Sequence, residues 1–166
     1  HLRHCARGGI NGEYTKIMMK RVYVNEEWCL GCHLCEYNCA FANSGEVDMV
    51  RAFSRDVPPQ SRIRVEDGTQ NGEAIHFAVS CRHCEVPYCV KGCIIGALSV
   101  EDGVVKIDRD RCVGCRTCIA MCPYGCLVVG HDHTMLKCEL CLENAAGSPA
   151  CVAGCPNRAI VYEARD

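Results

Sequence analysis

One run of cysteines, at residues 112–123, constrains this chain more than any other feature of its sequence. The run reads C-x-x-C-x-x-C-x-x-x-C-P, and Pro123 directly follows its last cysteine. This spacing is typical of chains whose thiolates hold 4Fe-4S clusters, and the fourth cysteine of such a run ligates a second cluster. We expect the first three thiolates on a loop and the fourth at the start of a short helix that leads to that neighbour. One run therefore predicts a partner run.

Sixteen of the 18 cysteines fall into four groups of four, and only Cys5 and Cys126 stand outside them. The first group repeats the spacing of the 112–122 run, and the other two have longer gaps before their third cysteine. Four groups of four thiols predict four 4Fe-4S clusters. In chain order the groups are Cys29, Cys32, Cys35 and Cys39; Cys81, Cys84, Cys89 and Cys93; Cys112, Cys115, Cys118 and Cys122; and Cys138, Cys141, Cys151 and Cys155.

The composition agrees with this interpretation, because 18 cysteines in 166 residues is a proportion at which cysteine chemistry defines the fold. A formal charge of −2 gives no basic field of the kind that binds nucleic acid or a membrane surface. We find no apolar stretch near the ~20 residues that a membrane-spanning helix needs, and no leader pattern. We expect a cytoplasmic protein, since free thiolates suit a reducing compartment.

Other uses of cysteine fit the spacing less well. Zinc ribbons employ two C-x-x-C pairs and would leave surplus thiols here, and disulfide scaffolds belong mainly to secreted proteins. A radical enzyme would require a C-x-x-x-C-x-x-C loop that leaves one iron open, and no group has that spacing. Because four thiolates per cluster leave no iron for a substrate, the pattern favours electron transfer over catalysis.

Short strands between the groups indicate how the groups pair. Residues 97–108 are typical of a hairpin with Asp102-Gly103 at its turn, so groups two and three have the layout of a complete two-cluster unit. One strand, at 21–26, precedes group one, and another, at 159–163, follows group four. Further strand pairs are expected at 61–66 with 73–80, turned by Asp67-Gly68 or Asn71-Gly72, and at 127–129 with 134–137.

Groups one and four each need a crossing partner, and the economical solution is that they pair with each other. We therefore predict a small α+β fold of two dicluster ferredoxin-like units, one inserted into the other. The predicted segments are an N-terminal arm at 1–18, a discontinuous unit at 19–80 plus 135–166, and an inserted unit at 81–134. The crossing rule then assigns four ligand sets: Cys29, Cys32, Cys35 with Cys155; Cys138, Cys141, Cys151 with Cys39; Cys81, Cys84, Cys89 with Cys122; and Cys112, Cys115, Cys118 with Cys93.

Three motifs within the groups are specific: Cys81-Arg82-His83-Cys84-Glu85-Val86-Pro87-Tyr88-Cys89, Cys122-Pro123-Tyr124-Gly125 and Lys137-Cys138-Glu139-Leu140-Cys141. Together with the group pattern they resemble the four-cluster iron-sulfur electron-transfer subunits of molybdenum and tungsten pterin oxidoreductases, hydrogenases and CO dehydrogenase. The chain is most similar to the short soluble type associated with CO dehydrogenase or with tungsten aldehyde oxidoreductase. The resemblance covers the chain from about residue 20 to its end.

The resemblance implies an electron-transfer subunit that is not an enzyme by itself. It would relay single electrons between a catalytic metal-cofactor subunit and a flavin NAD(P)H subunit or ferredoxin. A tungsten or molybdenum pterin enzyme of the aldehyde or formate type is favoured as the catalytic partner, and CO dehydrogenase follows closely. Two other hypotheses stay open: a stand-alone catalytic iron-sulfur enzyme, and a scaffold in which the arm at 1–18 links copies into a filament-like conductor.

Several residues beside the cysteines are candidates to tune a cluster, although side chains of their types are more often solvated. Gly31 is expected where backbone N–H groups approach a cluster, because a missing Cβ permits close approach. Cys126 is predicted to be a buried apolar thiol rather than a ligand. The flanking candidates are Arg82, His83, Lys91, Arg116 and Lys137.

Overall fold

A computed structural model of the chain describes residues 19–143 and 147–165. The predictions for the N-terminal arm, including Cys5, lie outside the described residues. The fold is α+β, with short helices and strands between cysteine loops. In chain order the elements are β1 (Arg21–Val24), α1 (Leu34–Ala42), α2 (Met49–Phe53), β2 (Arg64–Gln70), β3 (Glu73–Val79), α3 (Tyr88–Lys91), β4 (Leu98–Glu101), β5 (Val104–Ile107), α4 (Thr117–Met121), β6 (Val128–Val129), β7 (Met135–Leu136), α5 (Ala150–Ala153) and β8 (Ile160–Glu163).

The strands form four antiparallel pairs in the described part of the chain: β1 with β8, β2 with β3, β4 with β5, and β6 with β7. The β4–β5 hairpin is confirmed, and its turn residues Asp102 and Gly103 have φ of 48° and 74°. Positive φ at both positions matches the twist of the flanking strands. The β2–β3 hairpin turns at Asn71 and Gly72, so Asp67-Gly68 lies within β2 and not at the turn.

The pair β1–β8 joins the two distant parts of the sequence that carry groups one and four. Arg21 lies opposite Glu163, and Val24 lies opposite Ile160. The backbone N–H of Asn25 then donates to the Ala159 carbonyl at 2.7 Å, which extends the pairing toward the first cysteine loop. Helices α1 and α5, which carry cysteines of the same two groups, also pack against each other.

The short helices correct one prediction, because the fourth cysteine does not open the helix. In every group the helix carries the third cysteine: Cys35 in α1, Cys89 in α3, Cys118 in α4 and Cys151 in α5. The fourth cysteine lies later in α1, at Cys39, and just beyond the end of the other three helices. The reason is the spacing itself, since the three residues between the third and fourth cysteines make one helical turn.

Two apolar clusters form the core, and strand β5 divides them. Val104 packs in a cluster with Val22, Ile63 and Ile160. The next residue, Val105, packs in a second cluster. Successive side chains of a strand point to opposite faces, so one strand supplies both cores.

The helices are all short, and α1 is the longest in the described part of the chain, with nine residues. Among residues 19–143 and 147–165, no helix has the length and apolar character needed to cross a membrane.

Candidate metal centres

The first set of thiols includes Cys32, which is exposed. Cys29, Cys32, Cys35 and Cys155 line a single cavity, which brings together three cysteines of group one and the last cysteine of group four. Burial, with the Glu36 carboxylate beside it, raises the pKa of the Cys35 thiol to about 12. The crossing rule groups the same four residues.

The second set is the most deeply placed. Cys39, Cys138 and Cys151 are buried, and Cys141 is partly buried. These thiols act on one another electrostatically, because the Cys138 and Cys141 thiols both contribute to the raised pKa of Cys151, after burial itself. Burial raises the pKa of Cys138 to about 12 and also raises that of Cys39. Packing these buried thiols together disfavours bare thiolates.

The third set, Cys81, Cys84, Cys89 and Cys122, lines another cavity. Burial raises the pKa of both Cys84 and Cys89, with the Cys81 thiolate as the next contribution. Cys126 lies in the wall of the same cavity. Its Sγ donates to the Ser80 carbonyl at 2.9 Å, and burial raises its pKa to about 12. Cys126 is thus a protonated buried thiol.

The fourth set, Cys93, Cys112, Cys115 and Cys118, lines a further cavity. Burial, with Cys112 next to it, raises the pKa of Cys118 to about 11. Cys115 differs from the other three, because its thiol is exposed and a hydrogen bond with Thr117 lowers its pKa.

Backbone N–H groups point at one sulfur in each of the four cysteine groups, and these sulfurs belong to the second and fourth sets. The donors and acceptors are Arg62 N to Cys39 Sγ at 3.3 Å, Ala97 N to Cys93 Sγ at 3.2 Å, Met135 N to Cys112 Sγ at 3.4 Å and Leu140 N to Cys138 Sγ at 3.4 Å. Such donors favour the thiolate form, and hydrogen bonds to the sulfurs raise the potential of a bound iron-sulfur cluster.

Two glutamates tie the cysteine loops to the hairpins. The Glu36 carboxylate accepts from Val65 N of β2 at 2.6 Å. The Glu139 carboxylate, between Cys138 and Cys141, accepts from Ile107 N of β5 at 2.9 Å. Each cysteine loop is thereby held against a strand that belongs to another part of the sequence.

The residue before the second cysteine has a left-handed backbone in all four groups. The φ values are 63° at Gly31, 45° at His83, 66° at Gly114 and 60° at Leu140. The sequence singled out Gly31 alone. A Cβ on Gly31 would lie 2.7 Å from the ring of His76, and one on Gly114 would lie 2.4 Å from the backbone oxygen of His133.

Lys137 and His83 are buried, with 1% and 0% exposure, although the sequence favoured solvated side chains. The Lys137 Nζ donates to the carbonyls of Val105 and Cys138, and His83 Nδ1 accepts from Val105 N at 3.1 Å. The His83 Nε2 is buried without a hydrogen-bond partner in the described residues. Burial, followed by the Lys137 and Arg21 cations, lowers the pKa of His83 to about 3.

Contacts relate the four sets in the order first, second, third, fourth. Cys35 of the first set acts electrostatically on Cys151 of the second, and Cys81 of the third acts on Cys138 of the second. Helices α3 and α4, which carry cysteines of the third and fourth sets, pack against each other. Of the sixteen grouped cysteines only Cys32 and Cys115 are exposed, and these two belong to the sets at the ends.

The donor chemistry fits 4Fe-4S clusters. Each set offers four thiols, and all of these cysteines are free rather than bridged by disulfides. In residues 19–143 and 147–165 no three His, Cys, Asp or Glu side chains converge as tightly as one bound ion requires. Three of the sets instead surround cavities, which suits a group larger than a single ion.

Comparison with known proteins gives the family. Residues 73–165, more than half of the chain, match the family described as the 4Fe-4S dicluster domain. An iron-sulfur protein of Rhodospirillum rubrum is 35% identical over 156 residues, which cover 84% of this chain and 79% of that protein.

Two further relatives show the range of proteins in which this sequence pattern occurs. The thiosulfate reductase electron transfer subunit PhsB of Salmonella typhi is 37% identical over 146 residues, covering 83% of this chain and 72% of the subunit. The putative oxidoreductase UacF of Escherichia coli (strain K12) is 35% identical over 86% of this chain, which spans only 21% of the length of UacF. The chain thus belongs to the 4Fe-4S dicluster family, whose members include iron-sulfur electron-transfer subunits.

Proposed function

We propose that this protein relays single electrons through four 4Fe-4S clusters, one in each set of four thiols. The observation that carries the proposal is the linear order of the sets, with the exposed Cys32 and Cys115 at the two ends. The ligands proposed are Cys29, Cys32, Cys35 and Cys155; Cys39, Cys138, Cys141 and Cys151; Cys81, Cys84, Cys89 and Cys122; and Cys93, Cys112, Cys115 and Cys118.

A cluster held by four protein thiolates supplies one-electron chemistry and offers no iron to a substrate. The residues of this chain bury three thiols of the second set, partly bury all four thiols of the third, and direct N–H groups at Cys39 and Cys138 of the second set. The end sets each place one exposed cysteine at the surface, where a partner can approach. We therefore propose electron transfer, without catalysis by this chain alone.

We also propose that the chain is built as two units, one inserted into the other. The pairing of β1 with β8 and of α1 with α5 supports a discontinuous unit at 19–80 plus 135–166. The β4–β5 hairpin and the packing of α3 on α4 support an inserted unit at 81–134. In this arrangement strand β5 lies at the junction, because Val104 and Val105 face different cores.

The proposed partner is the catalytic subunit of an oxidoreductase, and a flavin NAD(P)H subunit or ferredoxin would stand at the other end. The name of PhsB, an electron transfer subunit of a reductase, supports such a partner. The resemblance of the motifs favours a tungsten or molybdenum pterin enzyme, with CO dehydrogenase second. A reducing compartment such as the cytoplasm would keep sixteen thiolates free for iron.

Iron and acid-labile sulfide analysis of anaerobically prepared protein tests the cluster count. About sixteen of each per chain is expected, four for each cluster. Cys84→Ser is expected to reduce the iron content or change the EPR signal of one cluster, whereas Cys126→Ser, in the same cavity wall, is expected to leave both unchanged. A wild-type content near eight of each, or zinc in place of iron, would contradict the four-cluster relay.

A further inference from the structure

Two cations lie beside the third set of thiols without a carboxylate partner among the described residues. Lys137 is 1% exposed, and its Nζ has only the carbonyl oxygens of Val105 and Cys138 as hydrogen-bond acceptors in the described part of the chain. The Nε of Arg21 is buried and has no acceptor there. A buried cation without an opposing charge is strongly unfavourable, so the compensating negative charge must come from another source.

The geometry places both cations next to the proposed cluster ligands. Val105, whose carbonyl accepts from Lys137, lines the cavity of the third set. The Lys137 ammonium acts electrostatically on the thiols of Cys89 and Cys138, and therefore reaches the third set and the second. The Arg21 guanidinium acts electrostatically on the thiol of Cys84.

The first set has a different electrostatic setting. Among charged groups, the Glu36 carboxylate acts most strongly on the Cys35 thiol. The same carboxylate accepts a hydrogen bond from Val65 N and pairs with the ring of His33. A negative neighbour opposes the addition of an electron, and a positive neighbour favours it. The chain thus places cations at an inner set and a carboxylate at an outer one.

Building on the proposed function, we infer that Lys137 and Arg21 are positioning charges that raise the reduction potential of the cluster held by Cys81, Cys84, Cys89 and Cys122. The reduction potential of this cluster is then higher than that of the outer cluster beside Glu36. The electron therefore stays on the inner cluster between transfers. Lys137 also raises the potential of the cluster held by Cys138, because its ammonium donates to the Cys138 carbonyl and acts electrostatically on that thiol.

The test is an EPR-monitored redox titration of the anaerobic four-cluster protein with Lys137→Met. The substitution keeps the length of the side chain and removes its charge. At least a tenfold fall in the equilibrium constant for reduction of one cluster is expected, which is about 59 mV for a one-electron couple. The matched control is Lys106→Met, whose ammonium is partly exposed and paired with Glu101 at 2.8 Å. It is expected to change no potential.

Lys137→Met with a full iron content and unchanged potentials would overturn the inference. Should Lys137→Met fail to take up iron, Arg21→Gln decides in its place: a fall in the potential of the same cluster supports the inference, and an unchanged set of potentials overturns it. Failure of the proposed function is recognised separately, because iron analysis of wild-type protein before any titration would then give well under the expected sixteen or so atoms per chain.

Discussion

Replacing Gly114 with alanine is expected to destabilise the protein through a backbone clash at the fourth set. Gly114 precedes Cys115 and has φ of 66°. A Cβ built there lies 2.4 Å from the backbone oxygen of His133. His133 belongs to the β6–β7 turn, which is followed by the Met135 N–H that donates to Cys112 Sγ at 3.4 Å. A shift of this turn would therefore move a hydrogen bond to a proposed ligand.

The expected loss has two parts. A non-glycine residue in the left-handed region costs about 1–2 kcal/mol. Forcing a Cβ into space already occupied by backbone costs about 1–3 kcal/mol more, as overpacking does elsewhere. The sum is about 2–5 kcal/mol for Gly114→Ala. Gly45→Ala provides the matched control, because Gly45 has φ of 74° and no atom lies within 4 Å of the Cβ position. That variant should lose only about 1–2 kcal/mol.

The assay is the rate at which the cluster absorbance disappears in guanidinium under anaerobic conditions, since iron-sulfur proteins lose their clusters irreversibly and a rate is the useful measure. The part due to the clash should make Gly114→Ala lose its clusters about tenfold faster than Gly45→Ala, because about 1.4 kcal/mol corresponds to a tenfold rate. Equal rates in the two variants would refute the argument that the His133 carbonyl requires glycine at position 114.

Three other outcomes are expected. Because His83 has a pKa near 3 in the fold and an ordinary value in the unfolded chain, stability is full above pH 6.5 and is lost as the pH falls toward 3. The loss is about 2 kcal/mol at pH 5, so cluster loss in guanidinium should be faster at pH 5 than at pH 7 in wild type, with a much smaller difference in His83→Asn. Cys126→Ala should destabilise the protein by about 1–3 kcal/mol and so speed cluster loss in guanidinium without lowering the iron content of the native protein, whereas Cys122→Ala should lose iron. Anaerobic removal of iron by a chelator should abolish the far-ultraviolet circular dichroism of the folded chain, and dichroism that persists unchanged would count against cluster-dependent folding.

The elements that the sequence predicted well are those set by local chemistry. The β4–β5 turn was predictable because Asp102 and Gly103 tolerate positive φ where few other pairs do. The helix starts were misplaced because cysteine spacing alone does not show on which side of a ligand a turn of helix forms. The pairing of β1 with β8 was not predicted as such, since two isolated strands far apart in sequence carry no mark of their partner.

The same division applies to the candidate sites. Cysteine spacing predicted the four groups of cysteines, because the geometry of cluster ligation allows only a few intervals between successive ligands. The burial of Lys137 was missed, since lysine is almost always solvated and one of the two carbonyls that accept from its ammonium, that of Val105, comes from another segment. The left-handed backbone at Leu140 was also not predicted from the sequence, because leucine rarely adopts this conformation. Comparison of the four groups with one another, position by position, is the signal that would have shown it.

The apolar core and the proposed cluster sites share residues. Cys35, Cys39, Cys118, Cys138 and Cys151 are among the buried apolar residues of this small fold, and all five are proposed ligands. Burial favours the protonated thiol at Cys138, with a pKa of about 12, whereas iron binds only the thiolate. A core already closed around protonated thiols would therefore resist cluster insertion, and an open chain would not. It follows that cluster assembly and core formation must proceed together.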